Sequence, residues 1–172
     1  MPGAEVASAV VVGLAFIYLG VISVLLVVID VRTHRLPNRV VLPSYLVSLT
    51  LFAAASALLG EGGALMRAGA GMAILFASYL AMRLINPSSL GGGDVKLAGL
   101  LGIYFGWVGW GAILIGTAAA FLIGGTQALI MLALRRGDRR TRIAFGPAML
   151  LGGWAAMGIL MVPGLVHPAS LG

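Results

Sequence analysis

The sequence predicts an all-α, polytopic membrane protein of about six transmembrane helices with both termini outside, and three observations carry that expectation. Of its 172 residues, 60% are hydrophobic and 9% charged, against roughly 25% charged in a soluble domain, and the mean hydropathy is +1.09. Five segments free of Asp, Glu, Lys and Arg, residues 6–29, 40–60, 68–82, 97–134 and 143–172, make up most of the chain. Basic residues, finally, are divided unevenly between the connections, which orients the helices in the membrane.

The first run holds 24 residues, more than the roughly 20 needed to cross the hydrocarbon core. Residues 1–5 contain no Lys or Arg, so the run lacks the basic n-region of a secretory signal and reads as a retained helix. Pro37-Asn38 breaks the chain before the second run, residues 40–60. The third has an uncharged core of 15 residues, about 22 Å long; snorkelling by Arg67 and Arg83 extends the span to 64–85. The 38-residue run 97–134 holds two crossings. Gly106-Trp107-Val108-Gly109-Trp110-Gly111 forms the outer turn between them, leaving a short fourth helix and a long fifth. The last run supplies the sixth, with Pro147 in its first turn. One GxxxG pair, Gly102 with Gly106, is fewer than glycine frequency alone would give, so it is read as carrying no packing signal. Residues 1–172 thus form one integral membrane domain, without chain to spare for a soluble catalytic domain.

Arg32, Arg35 and Arg39 follow the first helix, Arg83 and Lys96 flank the connection before the fourth, and Arg135, Arg136, Arg139, Arg140 and Arg142 separate the fifth from the sixth. Only Arg67 falls on the other side, so ten of the eleven basic residues share one face, and that face is cytoplasmic. The net charge of +6 accordingly reports orientation and contact with anionic membrane lipids, and no nucleic acid partner is expected. The absence of cysteine excludes disulfides and cysteine-ligated metals. His34 and His167 fall on opposite membrane sides, so no metal site and no cofactor are expected. Nothing in the sequence specifies an oligomeric state.

Asp30 ends the first helix and Asp94 begins the fourth, after Gly91-Gly92-Gly93. The helical order returns both to the inner face at one depth, where ionisable groups are costly unless solvated, paired or used. Either alone has a structural explanation. Asp94 could cap its helix, and Asp30 could be a helix-end residue neutralised by Arg32 or Arg35. Together, with three glycines through which a substrate backbone can approach, they form the minimal apparatus of aspartic proteolysis. That chemistry needs one ionised carboxylate to take a proton from water and one protonated carboxyl to donate to the amide oxygen, and two like charges in one site favour that division.

At these residues the sequence resembles the type IV prepilin peptidases of the GxGD class of intramembrane aspartyl proteases. Gly91-Gly92-Gly93-Asp94, continued by Val95-Lys96-Leu97, fits G-x-G-D; Asp30-Val31-Arg32-Thr33-His34-Arg35-Leu36-Pro37-Asn38 looks like a second signature of that family, and Ala144-Phe145-Gly146-Pro147 like a third. The resemblance implies an endopeptidase that removes the short leader of type IV pilin-like precursors at the cytoplasmic membrane of a prokaryote. Asp30 and Asp94 match the catalytic pair, with Lys96, Arg32, Pro37, Asn38, Phe145, Gly146 and Pro147 in support. The cysteine-rich N-terminal region of the larger members is not in this sequence, which puts N-methylation in doubt. The compact form is similar to the short peptidases of Flp/Tad-type pilus systems and to archaeal preflagellin peptidases.

Three other functions remain to be weighed. Ser88 and Ser89 lie near Lys96, so a Ser/Lys dyad is conceivable. A small proton-coupled transporter would use the aspartates as carriers, although neither falls near mid-membrane. A noncatalytic subunit of a pilus or secretion machine would tolerate their replacement. His34, four residues after Asp30, is an incidental interfacial histidine on this reading.

Overall fold

The computed structural model describes residues 2–33, 36–87, 90–133 and 145–161. Within them lie six helices: α1 (Pro2–Thr33), α2 (Asn38–Leu59), α3 (Gly63–Ile85), α4 (Gly92–Val108), α5 (Trp110–Ala133) and α6 (Gly146–Met161). The all-α expectation holds, and the fourth helix is short and the fifth long, at 17 and 24 residues. Four stretches, Pro2–Thr33, Asn38–Leu59, Gly63–Ile85 and Trp110–Met131, are long and apolar enough to cross a membrane. His34, Arg35, Ser88, Ser89, Ala144, His167 and the basic run from Arg135 to Arg142 lie outside the described residues.

The helices are sorted by the membrane. On α1 the buried residues are Ser8, Ala15, Leu19, Ser23, Leu26 and Asp30, one stripe at steps of three, four and seven, as a single helical face requires. The opposite face exposes Val10, Leu14, Ile17, Val21, Val24 and Val28. Water would penalise that arrangement, whereas hydrocarbon accepts it. The inward polar groups are joined between helices: Ser8 donates to the Ala55 carbonyl, Tyr18 meets Ser44, Tyr104 meets Ser48 and the Ala15 carbonyl, and the Trp154 indole N–H donates to Ser23.

α4 stands at the centre, buried around nearly its whole circumference and packed by α2, α3, α5 and α6. Its closest neighbour is α3, and here the structure corrects the sequence reading of Gly102 and Gly106. A Cβ on Gly102 would overlap the Gly71 and Met72 backbone, and one on Gly106 the backbone of Arg67 and Ala68. The single GxxxG pair is therefore the α3–α4 contact surface; its rarity in the chain said nothing about its use, because one well-placed pair suffices for backbones to touch. At the C-terminal end of α4 Arg67 donates to the Gly106 and Trp107 carbonyls, supplying donors and positive charge to that helix terminus. The chain then turns at Gly109, whose φ of 152° suits glycine.

Candidate active site

Asp30 points inward because it prolongs the buried stripe of α1 by one step, and it is 5% exposed. Its Oδ2 accepts the backbone N–H of Gly146, the first residue of α6, at 3.2 Å. Asp94 is the third residue of α4 and 9% exposed. Its Oδ2 accepts the Gly91 N–H at 2.9 Å. Asp94 therefore does not cap α4 from the N-cap position; Gly91 holds that position, and the carboxylate reaches back to it from N3. Each aspartate thus sits at the positive end of a helix, α6 for Asp30 and α4 for Asp94. The two carboxylates, 64 positions apart in sequence, act on each other electrostatically, and the Arg83 guanidinium acts on Asp94 as well.

The three glycines before Asp94 each make room for a different group of the protein. A Cβ on Gly91 would lie 3.0 Å from Asp94 Oδ2, one on Gly92 would lie 2.9 Å from Arg83 Nη1, and one on Gly93 would lie 2.8 Å from Leu36 Cβ. Arg83 also donates to the Leu90 carbonyl at 3.3 Å, so it braces the glycine loop from α3. Lys96 does not face Asp94; its Nζ donates to Asn38 Oδ1 at 2.5 Å, and its carbonyl accepts the Tyr45 hydroxyl. Asn38 and the preceding Pro37, the N-cap of α2, are thereby tied to the start of α4. Phe145 packs against Gly124 and, at 5.6 Å between ring centroids, against Phe121; Pro147 sits in the first turn of α6. Arg32 is exposed in the last turn of α1.

The structure thus brings Asp30, Asp94, the three glycines, Asn38, Lys96 and Gly146 to one end of the bundle. Two of the contacts here have no counterpart in the sequence reading: the bracing role of Arg83 and the Gly146 N–H on Asp30. Arg83 was detectable, since it extends the buried positions Gly71, Leu75 and Tyr79 of α3 by one more step of four. The Gly146 contact joins residues 116 apart and leaves no periodic trace. Among the described residues no group of three or more His, Cys, Asp or Glu is gathered as a metal site.

An all-helical bundle with four helices long and apolar enough to cross a membrane defines an integral membrane protein. Its family follows from comparison: the model of the type IV leader peptidase family matches residues 9–134, which include Asp30 and Asp94 and end before Phe145, and the chain belongs to that family. It is 32% identical over 145 residues to a prepilin leader peptidase/N-methyltransferase of Aeromonas hydrophila, covering 84% of this chain and 49% of that protein. A Dickeya chrysanthemi protein of the same name is 36% identical over 141 residues, 81% of this chain and 48% of its own length. One from Escherichia coli (strain K12) is 33% identical over 152 residues, 88% and 65% respectively. The chain thus spans about half the length of the Aeromonas and Dickeya relatives. No solved structure matches it.

Proposed function

We propose that this protein is an intramembrane aspartic endopeptidase that cleaves the leader peptide from type IV pilin-like precursors at the cytoplasmic face of a prokaryotic plasma membrane. The observation that carries the reading is the convergence of Asp30 and Asp94, both buried, from the inner end of α1 and the start of α4. One proton shared by the pair leaves a base to activate water and an acid to polarise the scissile carbonyl. The chain crosses the membrane six times with both termini outside, which sets the pair at the inner boundary, where a precursor's soluble leader meets its apolar segment. Residues 1–172 act as one domain in this reading, with Leu36, Asn38, Arg83 and Lys96 holding the start of α4 in place.

The test is cleavage of a co-purified pilin-like precursor by Asp30→Asn and Asp94→Asn proteins. Asparagine keeps the size of aspartate but neither ionises near neutral pH nor donates an acid proton. Each variant should lose on the order of 10⁴-fold in rate, and the double variant should be scarcely worse than either single, since the pair acts as a unit. Wild-type cleavage by either variant at equal expression would exclude the aspartic mechanism and turn the search to Ser88, Ser89 and Lys96, whereas no cleavage by the unsubstituted protein would leave a transporter or a noncatalytic machine subunit.

A further inference from the structure

The chain has four tyrosines, and three of their hydroxyls are committed within the bundle. Tyr18 is hydrogen-bonded to Ser44 at 3.0 Å, Tyr45 donates to the Lys96 carbonyl at 2.5 Å, and Tyr104 donates to the Ala15 carbonyl at 3.0 Å and meets Ser48 at 2.8 Å. Tyr79 is the exception. Its side chain is only 2% exposed, yet among the described residues no hydrogen bond involves its hydroxyl. A phenol this deep ordinarily finds a protein partner; the one fully sealed side-chain polar atom without one among the described residues is Ser56 Oγ, so the Tyr79 hydroxyl keeps a narrow opening, and a hydroxyl left unpaired there calls for a reason.

Its position supplies the reason. α3 and α4 run antiparallel in a register fixed by close approaches: Arg67 opposite Gly106, Gly71 opposite Gly102, Phe76 opposite Gly99 and Arg83 opposite Gly92. That register sets Tyr79 level with residues 94–96, within a turn of Asp94 and one helical turn before Arg83. Tyr79 lies on the inward stripe of α3 with Gly71 and Leu75, and the Asp94 carboxylate acts electrostatically on its phenol. Its ring is held from the far side by Phe121, 5.6 Å away between centroids, and Phe121 in turn packs on Phe145, the residue before Gly146. The same stack of rings leads from Tyr79 to the segment that binds Asp30. Asp30, Asp94 and Tyr79 are all buried, and a substrate that reaches them meets a preplaced O–H donor with no hydrogen bond to give up.

We propose that Tyr79 is a further catalytic residue of the cleavage reaction proposed above, donating a hydrogen bond to the scissile carbonyl oxygen as it becomes tetrahedral. The ionised carboxylate of the pair takes a proton from water while the water oxygen bonds to the carbonyl carbon. The protonated partner passes its proton to the carbonyl oxygen, which accepts the Tyr79 hydrogen bond through its other lone pair. On collapse the C–N bond breaks, the amine nitrogen takes the proton now on the first carboxyl, and one hydroxyl of the diol returns its proton to the second. The products are a carboxylic acid and an amine, the pair again holds one proton, and Tyr79 keeps its own throughout.

Tyr79→Phe retains the ring and its contact with Phe121 and deletes only the donor. With the precursor that the unsubstituted protein cleaves, kcat should fall by about 10²- to 10³-fold, the range for loss of one oxyanion donor, with KM and melting temperature unchanged. Tyr104→Phe is the converse: it deletes a hydroxyl committed to Ser48 and Ala15, so it should melt lower while cleaving at the wild-type rate per folded molecule. A kcat loss below about tenfold, a loss carried by KM, or a Tyr79→Phe protein that melts well below wild type would each overturn the proposal, the last because the hydroxyl would then be structural. Failure here is separable from failure of the aspartic reading: inactive Asp→Asn variants beside a fully active Tyr79→Phe protein would refute Tyr79 alone.

Discussion

Replacing Gly146 by alanine tests whether the start of α6 positions Asp30. The Gly146 N–H reaches Asp30 Oδ2 at 3.2 Å, and a Cβ on Gly146 would lie 2.5 Å from that oxygen and 3.3 Å from its carboxyl carbon. Non-bonded heavy atoms settle at about 3.5 Å, so the carboxylate or the helix must give way by about 1 Å. The hydrogen bond is already at the long end of its range and does not survive such a shift. A displacement of that size at a reacting group costs on the order of 100-fold in rate, about 2.7 kcal/mol. Gly91→Ala is the milder counterpart at Asp94, since its Cβ would lie 3.0 Å from Oδ2; half the displacement should cost about tenfold. Gly158→Ala, on the same helix as Gly146 but with nothing within 4 Å, should cleave as wild type. The assay is steady-state cleavage of a pilin-like precursor by purified protein in detergent, with melting temperatures measured in parallel. A Gly146→Ala protein that cleaves within about threefold of wild type would refute the claim that α6 sets the carboxylate.

Two further outcomes test the frame around the site. Gly102→Ala inserts a methyl group into the backbone of Gly71 and Met72 and should destabilise the protein by about 1–3 kcal/mol or more, whereas Gly13→Ala, in open space on α1, should melt as wild type; equal melting temperatures would show that α3 and α4 do not meet through these glycines. Reporter fusions after Glu61 and after Asn86, on either side of α3, should report the outer and inner faces respectively, and a shared side would overturn the six-crossing topology.

Much of the bundle was legible because the membrane writes its constraint into composition. A charge-free run of the right length can only be a helix when backbone groups must be satisfied without water, so α1, α2, α3 and the α4–α5 turn follow from run length, Pro37-Asn38 and the glycine-tryptophan cluster. Asp30 and Asp94 stood out for the same reason, since carboxylates are rare in such a chain, and the structure places both buried at one end of the bundle. What joins them was not legible. The Gly102–Gly71 approach, the Leu36–Gly93 contact and the Gly146–Asp30 hydrogen bond link residues distant in sequence. Each depends on where a glycine lacks a side chain, and in a chain with 26 glycines composition does not mark the few that matter. Tyr79 escaped notice because its significance lies in a hydrogen bond it does not make.

The three sequence segments around the site act as one physical unit. Burying two carboxylates at the edge of an apolar bundle is costly unless backbone donors or opposite charges meet them. The G-x-G-D segment begins α4 and turns the Gly91 N–H onto Asp94; the Phe-Gly-Pro segment begins α6 and turns the Gly146 N–H onto Asp30. The Leu-Pro-Asn segment supplies Leu36, which fills the space beside Gly93, and Asn38, which accepts from Lys96. Two helix starts thus offset part of the cost of the two carboxylates, and a third holds one of those starts in register. Because these two donors are backbone groups at helix ends, they are in place before substrate arrives, which is the condition under which buried polar groups contribute most to a reaction. It also follows that neither aspartate can move one position along its helix and keep its contacts: a single step turns a side chain by about 100°, carrying Asp30 off the inward stripe or Asp94 away from the Gly91 N–H.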